Sequence, residues 1–460
     1  MGSQEYERNM EHLEVLLRDN VVPTVLNEKL ESESYIWSKL EKIGGWNGKP
    51  IEHKLIVRAP SSLKYNGLVP QEDIVKGKYV DAILPGASMM TGSLSFWDRE
   101  LNKYRDKKAA FIDVYTQQLD FFNEHIKQQI NTFLFNGEVL DFTKKVGNGD
   151  GKKGILTVTN PKRFQNGQKI FISRKGTEGR YTELAKGFIN SIDFDNNKLQ
   201  MVQNLDIETV VDVSGIGDDD IIHIDGGLDN GFENLRKALL PVSVGGNAKI
   251  NSLSKSEHYF MNPFTYDASA MDLSKRNLLT ILFDIVRKKY THSKGQIDEI
   301  ICGDKLYSAI NFCINVDKMG ATRYRSEEKV FDAFNVSQLT ITDVEGRKVI
   351  VTVDRDLRDD IAYVMNWKAI EFRYYQLFER MKGQNGEEFY RIRGKDDYVN
   401  IVDILTEGNL HIREPNKMGI IYNIPVSKLE ITQQDILEGP YEVKMLTKIG
   451  ELINKVGVRA

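Results

Sequence analysis

The sequence predicts an α+β protein in which an extended segment, a long amphipathic helix and a small β domain follow one another. Three observations predict this class. Residues 51–100 are punctuated by glycine and proline, residues 101–135 carry apolar side chains at helical spacing, and residues 155–225 contain short apolar runs between turn residues. A period near 3.6 residues indicates a helix, whereas short runs bounded by turns indicate strands.

Composition indicates a folded protein of several domains. The chain has 460 residues, of which 41% are hydrophobic, and a net charge of −4 with both signs well mixed. Dedicated nucleic-acid binders carry a basic excess, so that class is not predicted. Neither a membrane helix nor a signal peptide is predicted, because the sequence shows no apolar run of the required length or position. Cys302 and Cys313 lack metal or redox spacing and are predicted to be buried thiols.

The first hundred residues predict an arm followed by an extended loop. Residues 1–50 form the predicted N-terminal arm, in which Asn27–Ile43 is open to both a helical and an extended interpretation. Residues 51–100 form the loop, which begins with a predicted strand at His53–Arg58 and turns at Leu84–Gly86. A loop of this length without its own core is usually functional or reaches a neighbouring molecule.

A single long helix is predicted over most of residues 101–142. Its apolar side chains recur at spacings of three and four, which places them on one face; they are Phe111, Tyr115, Leu119, Phe122, Ile126, Ile130 and Phe133. The periodic part, Leu101–Phe135, would be roughly 50 Å long at ~1.5 Å per residue. Asn136 and Gly137 predict its C-terminal end.

Residues 143–227 are predicted to be an inserted β domain. A glycine-rich linker at 146–154 precedes it and Gly226–Gly227 closes it. The predicted strands are Ile155–Thr159, Lys169–Ser173, Gly187–Asp193, Lys198–Val202, Val210–Val213 and Ile221–Ile224. Six short strands predict either a small barrel or a sandwich.

The second half of the chain predicts a mixed region, 228–370, a closing sheet, 371–425, and a tail, 426–460. The predicted helices are Phe232–Leu240, Met271–Tyr290 and Asp304–Phe312. The predicted strands are Ile297–Cys302, Gln338–Thr342, Lys348–Val353, Ile361–Met365, Ala369–Phe378 and Glu388–Arg393. Asn400–Leu405 is open to both strand and helix.

No catalytic, cofactor or metal site is predicted. The linker is not a phosphate-binding loop, because Gly147 and Gly151 lie one residue too close together for that motif. The histidines show none of the paired spacings that bind metals. Asp218–Asp220 could gather a cation or form a solvated turn.

Two groups of side chains suggest contacts with another subunit, each with an open alternative: the apolar cluster could instead anchor the loop on its own domain, and the basic patch could instead be a solvated sheet face. The first is an apolar cluster in the predicted loop, formed by Met89, Met90, Leu94, Phe96 and Trp97. The second is a basic patch late in the chain, formed by Arg373, Arg391, Arg393 and Lys395.

The order of these parts resembles the major capsid proteins of tailed bacteriophages, which share the Hong Kong ninety-seven fold. Ile51–Gly92 corresponds to the extended loop of that family, and Leu101–Phe135 to its spine helix. Ile297–Phe312 is similar to the strand and helix of the axial domain, and Ile361–Phe372 and Asn409–Ile424 are similar to the closing segments. The resemblance covers nearly the whole chain.

The resemblance implies a structural, non-enzymatic subunit of an icosahedral or prolate shell around double-stranded DNA. Residues 228–370 would contain the axial domain, which forms hexamers and pentamers, together with parts of the peripheral domain. Residues 101–142 would be the spine helix of the peripheral domain, and residues 371–425 would close the sheets of the peripheral and axial domains. Implied partners are portal, scaffolding and decoration or head-fibre proteins, and DNA without sequence specificity, but no cofactor and no membrane. The implied location is the virion capsid, assembled in the cytoplasm of a bacterial host.

The resemblance also implies intersubunit contacts in the loop, where Lys64, Tyr65, Lys76 and Lys78 are candidates. Some family members crosslink lysine to asparagine between subunits, but no partner asparagine is identifiable here, so a crosslink is not predicted. Two alternatives are a portal or tail subunit and a multidomain enzyme with a β accessory domain.

Overall fold

The structure is a computed structural model. It describes residues 34–58, 62, 76, 78–97, 122, 125–126, 128–137, 139–144, 148–176, 181–205, 209–218, 220–228, 231–270, 278–293, 296–311, 339–342, 348–354, 356–381, 390–393 and 398–429. The predicted arm before residue 34, most of the loop between 59 and 77, the first part of the long helix and the tail beyond 429 lie outside the described residues.

The helices and strands are numbered here in chain order. The helices are α1 Tyr35–Lys39, α2 residues 128–136, α3 Asn148–Gly151, α4 Leu235–Leu239, α5 Leu278–Ser293 and α6 residues 304–311. The strands are β1 Glu41–Ile43, β2 Ile51–Arg58, β3 Lys78–Leu84, β4 Ser88–Trp97, β5 Val139–Lys144, β6 Ile155–Val158, β7 Lys169–Lys175, β8 Tyr181–Asp193, β9 Lys198–Val202, β10 Ile221–His223, β11 Lys249–Ile250, β12 Leu253–Ser254, β13 Phe264–Asp267, β14 Glu299–Cys302, β15 Leu339–Thr342, β16 Lys348–Val353, β17 Ala362–Met365, β18 Ile370–Arg380, β19 Tyr390–Arg393, β20 Tyr398–Ile412 and β21 Gly419–Tyr422. This content confirms the predicted α+β class.

The chain divides into two compact units. The first takes its described residues from Met1–Ala238, Gly245–His258 and Ile370–Arg413, and the second from Leu239–Val244, Tyr259–Ala369 and Glu414–Ala460. The predicted closing segment Asn409–Ile424 is therefore divided. Strand β20 pairs within the first unit, whereas β21 pairs with β13 and β17 of the second.

The main sheet of the first unit is organised around β20. On one edge β20 pairs with β18 and β19, and on the other it pairs with β4 from Ser88 opposite Gly408 to Trp97 opposite Val399. The predicted loop, residues 51–100, is corrected here, because ten residues of it form a strand with a complete partner in the sheet. Residues 400–405, which were open to two interpretations, lie in a strand.

Helix α1 secures the start of the described chain to this sheet. Trp37 is fully buried and its ring lies 5.0 Å from that of Phe372. Ser34 caps the helix by accepting a hydrogen bond from the Trp37 backbone, and its hydroxyl donates to Asn131 Oδ1 at 3.0 Å. The described part of the open segment, residues 34–43, is thus a short helix followed by β1, which pairs in parallel with β18.

Helix α2 is the end of the predicted long helix; residues 122, 125 and 126 are helical as well. Its apolar face, including Ile126, Ile130 and Phe133, is buried. The predicted end is confirmed: Gly137 has φ +71°, and a Cβ there would lie 2.2 Å from the Asn234 side chain. Only glycine satisfies both the backbone conformation and this close approach.

The inserted domain is a closed barrel with the strand order β10-β5-β6-β9-β8-β7. Its predicted start at residue 143 is corrected to Val139, because β5 pairs with both β6 and β10. The predicted strand Val210–Val213 is reduced to a bridge between Val210 and Val202. The barrel interior is filled by small apolar side chains, among them Leu140, Leu156, Val158, Ile170, Ile172, Ile189, Leu199 and Ile222.

The second unit contains a six-stranded sheet in the order β13-β21-β17-β14-β16-β15. Leu282, Ile285 and Val286 of α5 belong to the same core as the sheet residues. Ala309 and Ile310 of α6 join that core as well. Burial of each large aliphatic side chain contributes roughly 1.5–3 kcal/mol. The regular spacing of these residues explains why the sequence predicts both helices and most strands of this unit.

One lysine in this core is unusual. Lys289 of α5 is fully buried, and its Nζ donates to Ser293 Oγ at 2.6 Å and to the Asn416 carbonyl oxygen at 3.2 Å. Burial, and less strongly the charge of Lys417, lower its pKa to about 8. The charged form is therefore less favoured in the folded protein than in the unfolded chain.

The substitution Lys289→Met tests this burial. Between pH 8 and 10.5 the unfolded lysine holds a proton that the folded one has released, so the stability of the native protein rises with pH relative to the variant. The rise is at most on the order of 3 kcal/mol. Urea unfolding of both proteins at several pH values measures it, and a pH-independent difference would contradict the assignment.

Candidate assembly interface

Strands β2 and β3 form a two-stranded ribbon. Ile51 pairs with Leu84 at one end and Arg58 with Lys78 at the other. Within the described residues, neither strand pairs with a third. The two faces of the ribbon differ, because side chains alternate along a strand. Ala82 and Leu84 are buried on one face. On the other, Tyr79 is 57% exposed and Ile83 is 44% exposed.

The chain turns from the ribbon into β4 at a corner, Pro85–Ala87. Asn409 of β20 donates from Nδ2 to the Gly86 carbonyl oxygen at 2.7 Å. Its Oδ1 accepts from the backbone of Glu233 at 2.7 Å and of Leu410 at 2.8 Å. One hydrogen bond of this buried amide therefore holds the corner, and the other two fix the amide itself to the backbones of Glu233 and Leu410.

His411, two residues further along β20, binds the same corner. Its Nε2 lies 3.0 Å from the Pro85 carbonyl oxygen, to which it donates in the tautomer with the proton on Nε2. The ring is fully buried and meets that of Trp46 edge-on at 5.1 Å. The Ala87 backbone donates to the Gly48 carbonyl at 2.9 Å, so the corner is held from two sides.

A second contact ties the ribbon to the sheet through the turn between β11 and β12. The Ile83 backbone donates to the Asn251 carbonyl at 3.0 Å. The Asn251 side chain donates to the Ile412 carbonyl at 2.6 Å. Asn251 has φ +50°, a conformation that asparagine tolerates better than most residues. The ribbon is thus rooted at its base while its outer face is exposed.

A buried carboxylate lies beneath the corner. Glu371 of β18 is 1% exposed and accepts from Arg373 Nε at 2.6 Å. Arg413 pairs with its other oxygen, and His411 Nδ1 lies 4.0 Å from Oε1. Burial, and less strongly the charge of Arg373, lower the pKa of His411 to about 4. His411 is therefore neutral near pH 7, although its hydrogen bond to Pro85 acts in the opposite direction and raises its pKa.

The predicted contact residues lie on different strands and on different faces of those strands. Met89 is 64% exposed on the outer side of β4, whereas Met90 is half-buried and Leu94 is buried. They therefore do not form one cluster. Phe96 and Trp97 lie in β4 and Arg391 and Arg393 in β19, where only the backbone is described. Lys76 and Lys78 are exposed, and Lys64, Tyr65 and Lys395 lie outside the described residues.

Two predicted charged groups are paired within their own chain. Arg373 binds Glu371, as above. Asp220, which could have gathered a cation together with Asp218, instead accepts two hydrogen bonds from Arg174 at 2.7 and 2.6 Å. Within the part of the chain that the structure describes, no three His, Cys, Asp or Glu side chains could hold a metal ion, and no helix is long and apolar enough to cross a membrane.

The sequence did not single out Asn409, His411, Asn251 or Glu371. One signal was present: the polar residues Asn409 and His411 interrupt an otherwise strand-like run at Ile404–Ile412. Buried polar residues in strands require partners, and these partners lie far away in the sequence. Their identity was therefore not accessible from local patterns.

No protein-family model matches the sequence, and no curated protein matches it. Solved structures do match. The capsid asymmetric unit of cyanophage A-1(L) is similar over 85% of this chain and 93% of that chain, with a TM-score of 0.45 and 11% identity. The capsid of Myoviridae phage XM1 is similar over 85% and 91%, with a TM-score of 0.38 and 9% identity.

The SrpI encapsulin complex of Synechococcus elongatus is similar over 86% of this chain and 89% of that chain, with a TM-score of 0.35 and 8% identity. These neighbours are capsid and encapsulin structures.

Substitution of His411 by glutamine tests the corner. Between pH 6.5 and 4 the histidine of the unfolded chain is protonated, whereas His411 of the folded protein is not. The free energy of unfolding therefore falls as the pH falls through this window. The loss is at most on the order of 3 kcal/mol. His411→Gln retains a donor for Pro85 but no titration, so its urea midpoint should change less over the same pH range. Parallel profiles for the two proteins would refute this role.

Proposed function

We propose that the chain is a structural subunit that assembles with copies of itself into a closed shell of the tailed-phage capsid type, icosahedral or prolate, around double-stranded DNA. The observation that carries the proposal is the ribbon. It is rooted by hydrogen bonds to Asn409, His411 and Asn251, yet it presents Tyr79 and Ile83 on an exposed face.

An isolated two-stranded ribbon is marginally stable in water, because it has too little surface to bury. Covering its outer face with a second copy removes Tyr79 and Ile83 from water. Stable interfaces bury about 800 Å² on each partner. Contacts made in the assembly by residues 59–77, which connect β2 to β3, would add to that area.

Further intersubunit contacts belong to the same proposal. Lys64, Tyr65, Lys76 and Lys78 would extend the ribbon surface, and Met89 would continue it along the outer side of β4. Phe96, Trp97, Arg391 and Arg393 are proposed contacts at the far end of the same sheet. Arg373 is assigned instead to Glu371, because that pair is formed within the chain.

The charge of the chain supports a shell subunit and not a sequence-specific nucleic-acid-binding protein. A net charge of −4 supplies no excess of cations to neutralise phosphates, so DNA would be enclosed without sequence-specific binding. The role is structural and not enzymatic. The proposal includes assembly into hexamers and pentamers in the cytoplasm of a bacterial host. The proposed partners are portal, scaffolding and decoration or head-fibre proteins.

Shortening the ribbon tests the proposal that it is required for shell assembly. Because Arg58 and Lys78 lie opposite each other, residues 59–77 can be replaced by Asn-Gly, a dipeptide that favours tight hairpin turns. We expect a folded, soluble subunit that no longer forms shells in negative-stain electron microscopy. Deletion into β4 is unsuitable, because that strand belongs to the sheet.

Shells made by the shortened chain would contradict the role of the ribbon. A small monodisperse oligomer from the full chain would contradict shell assembly.

A matched pair of substitutions tests the exposed face. Tyr79→Ser removes an aromatic ring from the ribbon, and Phe194→Ser removes one from a barrel turn; both rings are 57% exposed. We expect Tyr79→Ser only to need at least about a tenfold higher subunit concentration for assembly, since a loss of about 1.4 kcal/mol per contact lowers the association constant by that factor. Sedimentation of assembled particles over a series of subunit concentrations measures the yield. Equal yields of the two variants would contradict the assignment of the face.

A further inference from the structure

Strand β8 of the barrel is longer than either of its neighbours and keeps part of one edge open. Its residues 188–193 pair with β9, whereas residues 181–186 pair only with β7. Among the described strands, none lies along the other edge of residues 182–186, where Thr182, Glu183, Leu184 and Lys186 are exposed. The backbone of such an edge can pair with a strand of another molecule. We call residues 182–186 the open edge.

An irregularity in the pairing of β7 with β8 places Glu183 and Lys186 on the same face. Ser173 pairs with Glu183 and Phe171 pairs with Lys186, so β8 has one extra residue in this interval. Residues two apart on β7 share a face, and residues paired across strands share it as well. The two charged side chains therefore meet, with 3.2 Å between Lys186 Nζ and Glu183 Oε1.

This charged face lies outside the barrel. Ile170 and Ile172, which alternate with Phe171 along β7, are 0% exposed and fill the interior. The Glu183 side chain is 48% exposed and that of Lys186 is 60% exposed. The Lys186 ammonium lies 6.0 Å from the centroid of the Phe171 ring. The open edge therefore presents one negative and one positive charge to any strand that pairs with it.

The positions of these two charges complement a second copy of the same edge. A two-fold axis between positions 184 and 185 of an antiparallel pair sets Glu183 of each copy opposite Lys186 of the other. Opposite charges facing each other across strands stabilise the pair, whereas like charges destabilise it. An edge with charges of one sign would repel its own copy, but the open edge attracts it.

We propose that the open edge is an interface between two copies of this chain. Strand β8 of one barrel pairs antiparallel with β8 of the other, and Glu183 meets Lys186 on both sides of a two-fold axis. This contact adds a link between subunits of the shell proposed above, but the pairing itself does not require a closed shell.

Reciprocal charge substitutions in the full chain test the pairing. Glu183→Lys gives a chain with two positive charges on the open edge, and Lys186→Glu gives a chain with two negative charges. Neither variant can form the pair within itself, whereas a mixture of the two can form it between chains. A zero-length carbodiimide crosslinker should therefore join positions 183 and 186 at least about fivefold more in the mixture than in either variant alone. Peptide mapping by mass spectrometry measures the link.

A second salt bridge of the barrel provides the matched control. Lys198 of β9 and Asp150 of α3 form an exposed pair within the chain at 2.9 Å. A mixture of Asp150→Lys and Lys198→Asp should give no more of the corresponding link than either variant alone. A link at the open edge no stronger than in this control would overturn the proposal.

Two further measurements separate the pairing from folding and from shell assembly. Because Glu183 and Lys186 are both exposed, their variants should keep the urea midpoint of the unsubstituted chain. Electron microscopy scores shells independently of the crosslink. Shells without the link would contradict the pairing alone, whereas the link without shells would support the pairing and contradict the shell.

Discussion

The architecture of the first unit depends on the hydrogen bonding of β20. This strand pairs with β18 and β19 along one edge and with β4 along the other, and through Asn409 and His411 it supplies the donors that hold the corner at Pro85–Ala87. The carbonyl groups of a backbone corner inside a unit need hydrogen-bond donors. The side chains that do so also determine the direction in which the ribbon leaves the sheet, so one strand couples the core to the exposed surface.

The corner also shows why a charged group is buried in this sheet. Glu371 lies among Arg373, Arg413 and His411, and removal of either arginine would leave a buried carboxylate with less compensation. Such an arrangement specifies geometry more than it adds stability. Its position below the ribbon suits a subunit whose function requires a defined exposed surface and not a reactive site.

Helix α2 serves two neighbours with different chemistry. Its apolar side packs on β4, which explains the periodic stripe in the sequence. Gln128 of the same helix accepts a hydrogen bond from Gln165 of the barrel. The inserted domain keeps its own closed hydrogen-bonded barrel and its own core.

The sequence by itself determined the elements whose physics is local. Apolar spacing predicted the core face of α5, a short apolar run predicted β16, and the glycine at 137 predicted the end of α2. Only the tertiary structure decided which elements pair: β4 joined the sheet, β5 joined the barrel, and residues 409–424 were divided between two units. The candidate site depended on the same step, since Asn409 meets Gly86 across 323 positions. A local pattern reports what one segment can form, whereas pairing and burial depend on residues that are distant in the chain.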